Sequence, residues 1–88
     1  MKDGTYLMDA DGKLKPLKVN TGYWVAEEEV KLEDVKVGEI VGIWTDANGK
    51  QWIDKSHLVS ELSDAVTLAD AWEQIAIYDN KKGEALEV

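Results

Sequence analysis

The chain has 88 residues, with 18 Asp and Glu against 10 Lys, one His, no Cys, no Phe and a formal net charge of −8. A chain of this length buries only about 60–65% of its unfolded surface, which favours one domain over residues 1–88 and argues against a large active-site cavity. The missing cysteine excludes a disulfide framework and thiolate metal sites, and the missing arginine removes the fork that grips phosphates and guanine edges, so direct nucleic-acid binding is not expected.

Met1-Lys2-Asp3-Gly4 leads into no apolar signal-type stretch. The longest apolar run, Ile40-Val41-Gly42-Ile43-Trp44, falls far short of the roughly 20 residues a membrane span needs. The expectation is a soluble cytoplasmic protein with no membrane partner. Charge is uneven along the chain: residues 1–26 carry a net +1 and residues 27–88 a net −9.

Three segments share one local design. Tyr6-Leu7-Met8-Asp9 runs into Ala10-Asp11-Gly12, Ile43-Trp44-Thr45-Asp46 into Ala47-Asn48-Gly49, and Ile77-Tyr78-Asp79 into Asn80-Lys81-Lys82-Gly83. Each predicts strand, Asp-led turn, strand, because Asp accepts backbone hydrogen bonds at the start of a turn and Gly takes the positive φ that closes it. Matching apolar residues across each turn fixes a register. Asp9 then faces Lys13, with Met8 beside Leu14 and Tyr6 beside Pro16. Asp46 faces Lys50, with Trp44 beside Trp52 and Ile43 beside Ile53. Asp79 faces Glu84, with Ile77 beside Leu86 and Ile75 beside Val88.

Between the first two hairpins, Asn20-Thr21-Gly22 predicts a turn and Tyr23-Trp24-Val25-Ala26 a strand. The next stretch holds Glu27, Glu28, Glu29, Glu33, Asp34 and Glu39, relieved only by Lys31 and Lys36, and reads as an extended surface arm or irregular loop. Later, Leu62, Ala65, Val66, Ala69 and Trp72 recur at spacings of three and four and predict a helix with those residues on its buried face. Ser60 or Ser63 is its expected cap. The elements together predict a small α+β fold: a twisted antiparallel sheet or partly closed barrel of hairpins, with one helix from the C-terminal half packed on one face.

Chemistry is sparse. Asp54-Lys55-Ser56-His57 contains the residue types of a nucleophilic triad, but neighbours on a strand point to opposite faces, so Ser56 and His57 would not meet. No catalytic residue is expected. One histidine cannot build a zinc site, and Asp9-Ala10-Asp11-Gly12 has its glycine at the wrong place for a calcium loop. No metal or cofactor is expected, and the sequence holds no Walker or GxGxxG loop.

Two features remain. The register above leaves Trp44 and Trp52 side by side on one face with Ile43 and Ile53 on the other. The reading favoured for these indoles is core, since a chain without Phe has few other large residues to fill its interior. The alternatives are a second small core under the N-terminal hairpin, a homodimer contact, or, with Trp24, a stacking platform for a nucleotide signal or a sugar. The acidic residues Glu27, Glu28, Glu29, Glu33, Asp34 and Glu39 have two readings as well: a solvated rim, or a surface that imitates a nucleic-acid backbone.

Gly22-Tyr23-Trp24-Val25, and Gly42-Ile43-Trp44-Thr45-Asp46 ahead of Lys50-Gln51-Trp52-Ile53-Asp54, in a small, acidic, cysteine-free chain, resemble the texture of phage and prophage accessory proteins of the anti-CRISPR and anti-restriction type. That resemblance is one of class. It implies a non-enzymatic inhibitor that binds a host defence protein in the host cytoplasm, at a basic surface that normally holds nucleic acid. A self-assembling phage structural or accessory component is the further alternative.

Overall fold

Three aspartates set the three hairpins, each through its own Oδ1. In the computed structural model, which describes residues Met1–Val88, Asp9 Oδ1 accepts the N–H groups of Asp11 and Lys13, both at 2.9 Å. Asp46 Oδ1 accepts those of Asn48 and Lys50, again at 2.9 Å. Asp79 Oδ1 accepts those of Lys81 and Lys82 at 3.0 and 3.1 Å. Each turn therefore has its inward N–H groups satisfied by the residue that opens it. The strands that follow are β1 (Gly4–Met8), β2 (Leu14–Pro16), β3 (Tyr23–Glu29), β4 (Ile40–Thr45), β5 (Gln51–Val59), β6 (Ala76–Asp79) and β7 (Glu84–Glu87), with the helix α1 (Leu62–Ala71) between β5 and β6.

The registers are those the apolar pattern predicts. Met8 faces Leu14 and Tyr6 faces Pro16 across β1 and β2. Ile43 faces Ile53 and Trp44 faces Trp52 across β4 and β5. Ile77 faces Leu86 and Asp79 faces Glu84 across β6 and β7, and beyond them the Val88 N–H donates to the Ile75 carbonyl at 3.0 Å.

The hydrogen-bonded succession is β2-β1-β4-β5-β3-β6-β7, seven strands in an antiparallel sheet that does not close. The partly closed barrel is thus corrected to an open sheet. One edge is the three-residue β2, which ends at Pro16, a residue with no N–H to offer a further strand. The fold is strand-dominated, with α1 its one α-helix.

By packing, the chain divides into two compact units, Met1–Lys18 with Glu28–Lys55, and Val19–Glu27 with Ser56–Val88. The first is centred on Tyr6, Val41 and Ile43, with Leu14, Val30, Val35 and Ile53 against them. The second is centred on Val25, Ala65, Ala69 and Ile77, with Tyr23, Val59, Leu68, Trp72 and Leu86 around them. Ala65 and Ala69 are both fully buried and pack with Val25 and Ile77.

Three expectations about elements are corrected. The helical stripe is narrower than its spacing implies: Leu62 and Val66 are exposed, and Leu68 packs instead, because the buried arc is centred on Ala65 and Ala69. Neither Ser60 nor Ser63 caps α1. The N-cap is Glu61, with φ −104° and ψ 135° and no side-chain bond, so Ser60 lies one residue too early and Ser63 inside the first turn.

The acidic stretch is ordered structure, not a free arm. Its first three glutamates complete β3, and Leu32–Asp34 form a 3-10 turn. Val30 N–H donates to the Ile53 carbonyl at 2.8 Å, and Gly38 N–H to the Met8 carbonyl at 2.9 Å. Val30 and Val35 hold the segment to the first core.

Candidate functional site

The strand pleat separates the acidic residues that sequence spacing places together. Side chains alternate along β3, so Glu28 faces away from Glu27 and Glu29. Lys55 lies 3.8 Å from Glu28 and 3.5 Å from Glu39, so one ammonium serves two carboxylates. The backbone N–H of Lys36 donates to Glu39 at 2.7 Å. That bond first, and Lys55 with it, hold the Glu39 carboxyl below the usual range against partial desolvation. Glu27 binds the His57 ring nitrogen Nε2 at 2.8 Å, and the His57 ring centroid is 5.0 Å from that of Trp72. Glu29, Glu33 and Asp34 are exposed and form no ion pair.

A second group of exposed acids, with no lysine among them in the sequence, lies in the second unit. No lysine occurs between Lys55 and Lys81. Over that interval Glu61, Asp64, Asp70 and Glu73, on or beside α1, are all exposed. Acids are densest at residues 27–39, which is why spacing alone points there. The later signal is the absence of lysine between Lys55 and Lys81, which leaves fewer carboxylates but no lysine beside them in the sequence.

The tryptophans divide into three situations. Trp24 is buried, at 7% exposure, so it is corrected from a member of an accessible platform to an interior residue. Trp72 is half-buried against the second core. Trp44 and Trp52 stack with ring centroids 5.8 Å apart and planes 14° from parallel. Trp44 is 47% exposed, so the reading of this pair as core is corrected too. Strand alternation is the reason: Ile43 and Ile53 take the buried face, and their neighbours point the other way.

Both indoles of the stack are fixed at their polar edges. Trp44 Nε1 donates to Asp54 Oδ2 at 2.8 Å and Trp52 Nε1 to Asp46 Oδ2 at 3.0 Å. Lys50 Nζ lies 3.9 Å from the Trp52 ring centroid. Asp46 therefore serves both turn and stack. The Trp52 hydrogen bond first, and the Lys50 backbone N–H second, lower its carboxyl below the usual range.

The first hairpin repeats this layout with one change. Lys15 stands six residues after Asp9, as Trp52 stands six after Asp46. Buried Asp9 Oδ2 has no hydrogen-bond donor, and the Lys15 ammonium at 3.4 Å is its counter-charge. The pairing of His57 with Glu27, across 30 residues of chain, had no local signal in the sequence.

No family model matches the sequence, and no curated protein or solved structure is significantly similar to it. No helix is long and apolar enough to cross a membrane.

Proposed function

We propose that the protein is a non-enzymatic inhibitor of the phage or mobile-element type, which occupies the basic nucleic-acid-binding surface of a host defence protein in the host cytoplasm. Its carboxylates stand where phosphates would, and arginine is absent from its own surface. The observation that supports this reading best is the run of exposed acids at Glu61, Asp64, Asp70 and Glu73 with no lysine among them. In the first unit, Glu29, Glu33 and Asp34 are likewise exposed and without ion pairs. Water-exposed carboxylates raise association rates with a basic partner and lose that advantage as salt screens them.

Two charge reversals test the reading. D64K/D70K removes acids of the helix, and E29K/E33K/D34K removes the unpaired acids of β3 and the 3-10 turn. Glu27 is left in place because it is bonded to His57. With folding checked by circular dichroism, each immobilised variant is challenged with bacterial lysate beside the native protein. The expected result is that at least one variant loses the basic proteins the native chain retains. Equal retention by both would make these acids a solvated rim.

A further inference from the structure

The indole stack of the first unit carries a cation on Trp52 and leaves Trp44 half exposed. Lys50 Nζ stands over the Trp52 ring, 3.9 Å from its centroid, the geometry of a cation held by a ring quadrupole. Trp44, the other member of the stack, is 47% exposed. Its neighbour two residues back on the same strand face is Gly42, which has no side chain to lie beside the ring. A tryptophan with its N–H fixed by Asp54 and its ring braced by a second indole is a rigid surface, so little ordering entropy would be lost on binding.

Charge selects the occupant. Asp46 and Asp54 hold the two indole edges, and Asp3 binds the hydroxyl and the backbone N–H of Thr45, the residue after Trp44, at 2.8 and 3.2 Å. Two cations stand near these three carboxylates, Lys50 over Trp52 and the Met1 ammonium, which donates to Gln51 at 3.1 Å, so the carboxylates are still in excess. A nucleotide phosphate would be repelled here, and a sugar would gain nothing from the charge. A cation gains from both the ring face and the carboxylates. Asp54 uses only Oδ2 on the indole, which leaves Oδ1 free to accept a hydrogen bond. A planar guanidinium matches that pairing of ring face and carboxylate better than a compact ammonium does.

We infer that the exposed face of Trp44, with Asp54 beside it, is the docking position for an arginine side chain of the partner protein. This deepens the proposed function, because it rests on a basic partner and names the chemistry by which one of its residues is gripped.

The test follows indole Nε1–H signals by NMR in 15N-labelled protein, in buffer with 150 mM sodium chloride. Capped tri-arginine, capped tri-lysine and adenosine monophosphate are titrated in turn. The expected result is a saturable shift of the Trp44 and Trp52 signals with tri-arginine, weaker with tri-lysine, while Trp24 and Trp72 stay still. Trp44→Phe should weaken tri-arginine binding roughly 2- to 30-fold and Trp44→Ala further. Unchanged melting of the Phe variant guards against a folding defect.

Equal response to tri-lysine would overturn the arginine assignment. Response to adenosine monophosphate alone would make the stack a nucleotide platform and overturn it as well, as would binding unaffected by either substitution. If Trp44→Ala still retains from lysate what the native chain retains, the docking position fails while the acidic-inhibitor reading stands. Loss of that retention only in the charge-reversal variants would say the same.

Discussion

Asp46 and Asp9 illustrate how much one side chain can carry in a small sheet. Each closes a turn with two backbone N–H bonds, and each has its carboxyl held below the ordinary range. For Asp9 the Lys13 N–H is the largest cause. A carboxyl lowered in the folded state contributes stability that is full above its unfolded pKa and fades as pH falls through its folded one. Thermal melting should therefore hold steady down to roughly pH 4–5 and drop below it. Asp46→Asn should flatten that drop, and an acid limb identical to the native one would contradict the assignment. Glycines behave differently by position. At Gly49, φ is 83° and a Cβ would meet open space, so Gly49→Ala should cost about 1 kcal/mol in urea titration from backbone conformation alone. At Gly22, φ is 79° and a Cβ would stand 3.1 Å from Leu58 Cδ1 and 3.2 Å from the Val59 carbonyl oxygen, so Gly22→Ala should cost more.

Among the elements, α1 is the least well finished. Its N-cap, Glu61, makes no side-chain bond, although its extended backbone suits a capping residue. Glu61→Ser should stabilise the protein by roughly 0.5–1 kcal/mol in chemical denaturation. At the other end the Gln74 and Glu73 N–H groups return to the Ala69 and Asp70 carbonyls at 2.8 and 3.1 Å, and Glu73 sits at φ 56°, the place glycine usually takes. Glu73→Gly should add about 0.5–1 kcal/mol, and a loss would mean the Glu73 side chain has a partner that offsets its backbone. The hairpins were legible in the sequence because turn chemistry and apolar pairing are local and agree with each other. The helix cap was not, because Ser60 and Ser63 flank the residue that takes the position, and one residue decides a cap. The ordering of the acidic stretch was also hidden. Val30 and Val35 anchor it to residues far along the chain, and no local pattern announces such a contact.

For the molecule as a whole, charge outweighs pairing. The net charge of −8 is what remains after every lysine is counted, and only four ion pairs at 4.0 Å or less form, one of them with the single histidine. Self-repulsion among exposed carboxylates should dominate, so added sodium chloride should raise the melting temperature at pH 7. A lower melting temperature in salt would show that the few attractive pairs matter more. Net acidity was plain from composition, but its placement was not. Lys55 covers two of the acids the spacing singled out, and His57 takes a third. The adjacency of Trp44 and Trp52 was readable from hairpin register, whereas their exposure depended on which face the rest of the chain would cover.

The most direct test of the central claim is competition. Proteins retained from bacterial lysate on the immobilised chain are eluted with duplex DNA at constant ionic strength, beside an equal charge of an unstructured polyanion. Mimicry of a nucleic acid predicts that a small set of basic proteins is retained and that duplex DNA releases it at lower concentration than the control. Retention of those proteins unchanged by duplex DNA would contradict the account.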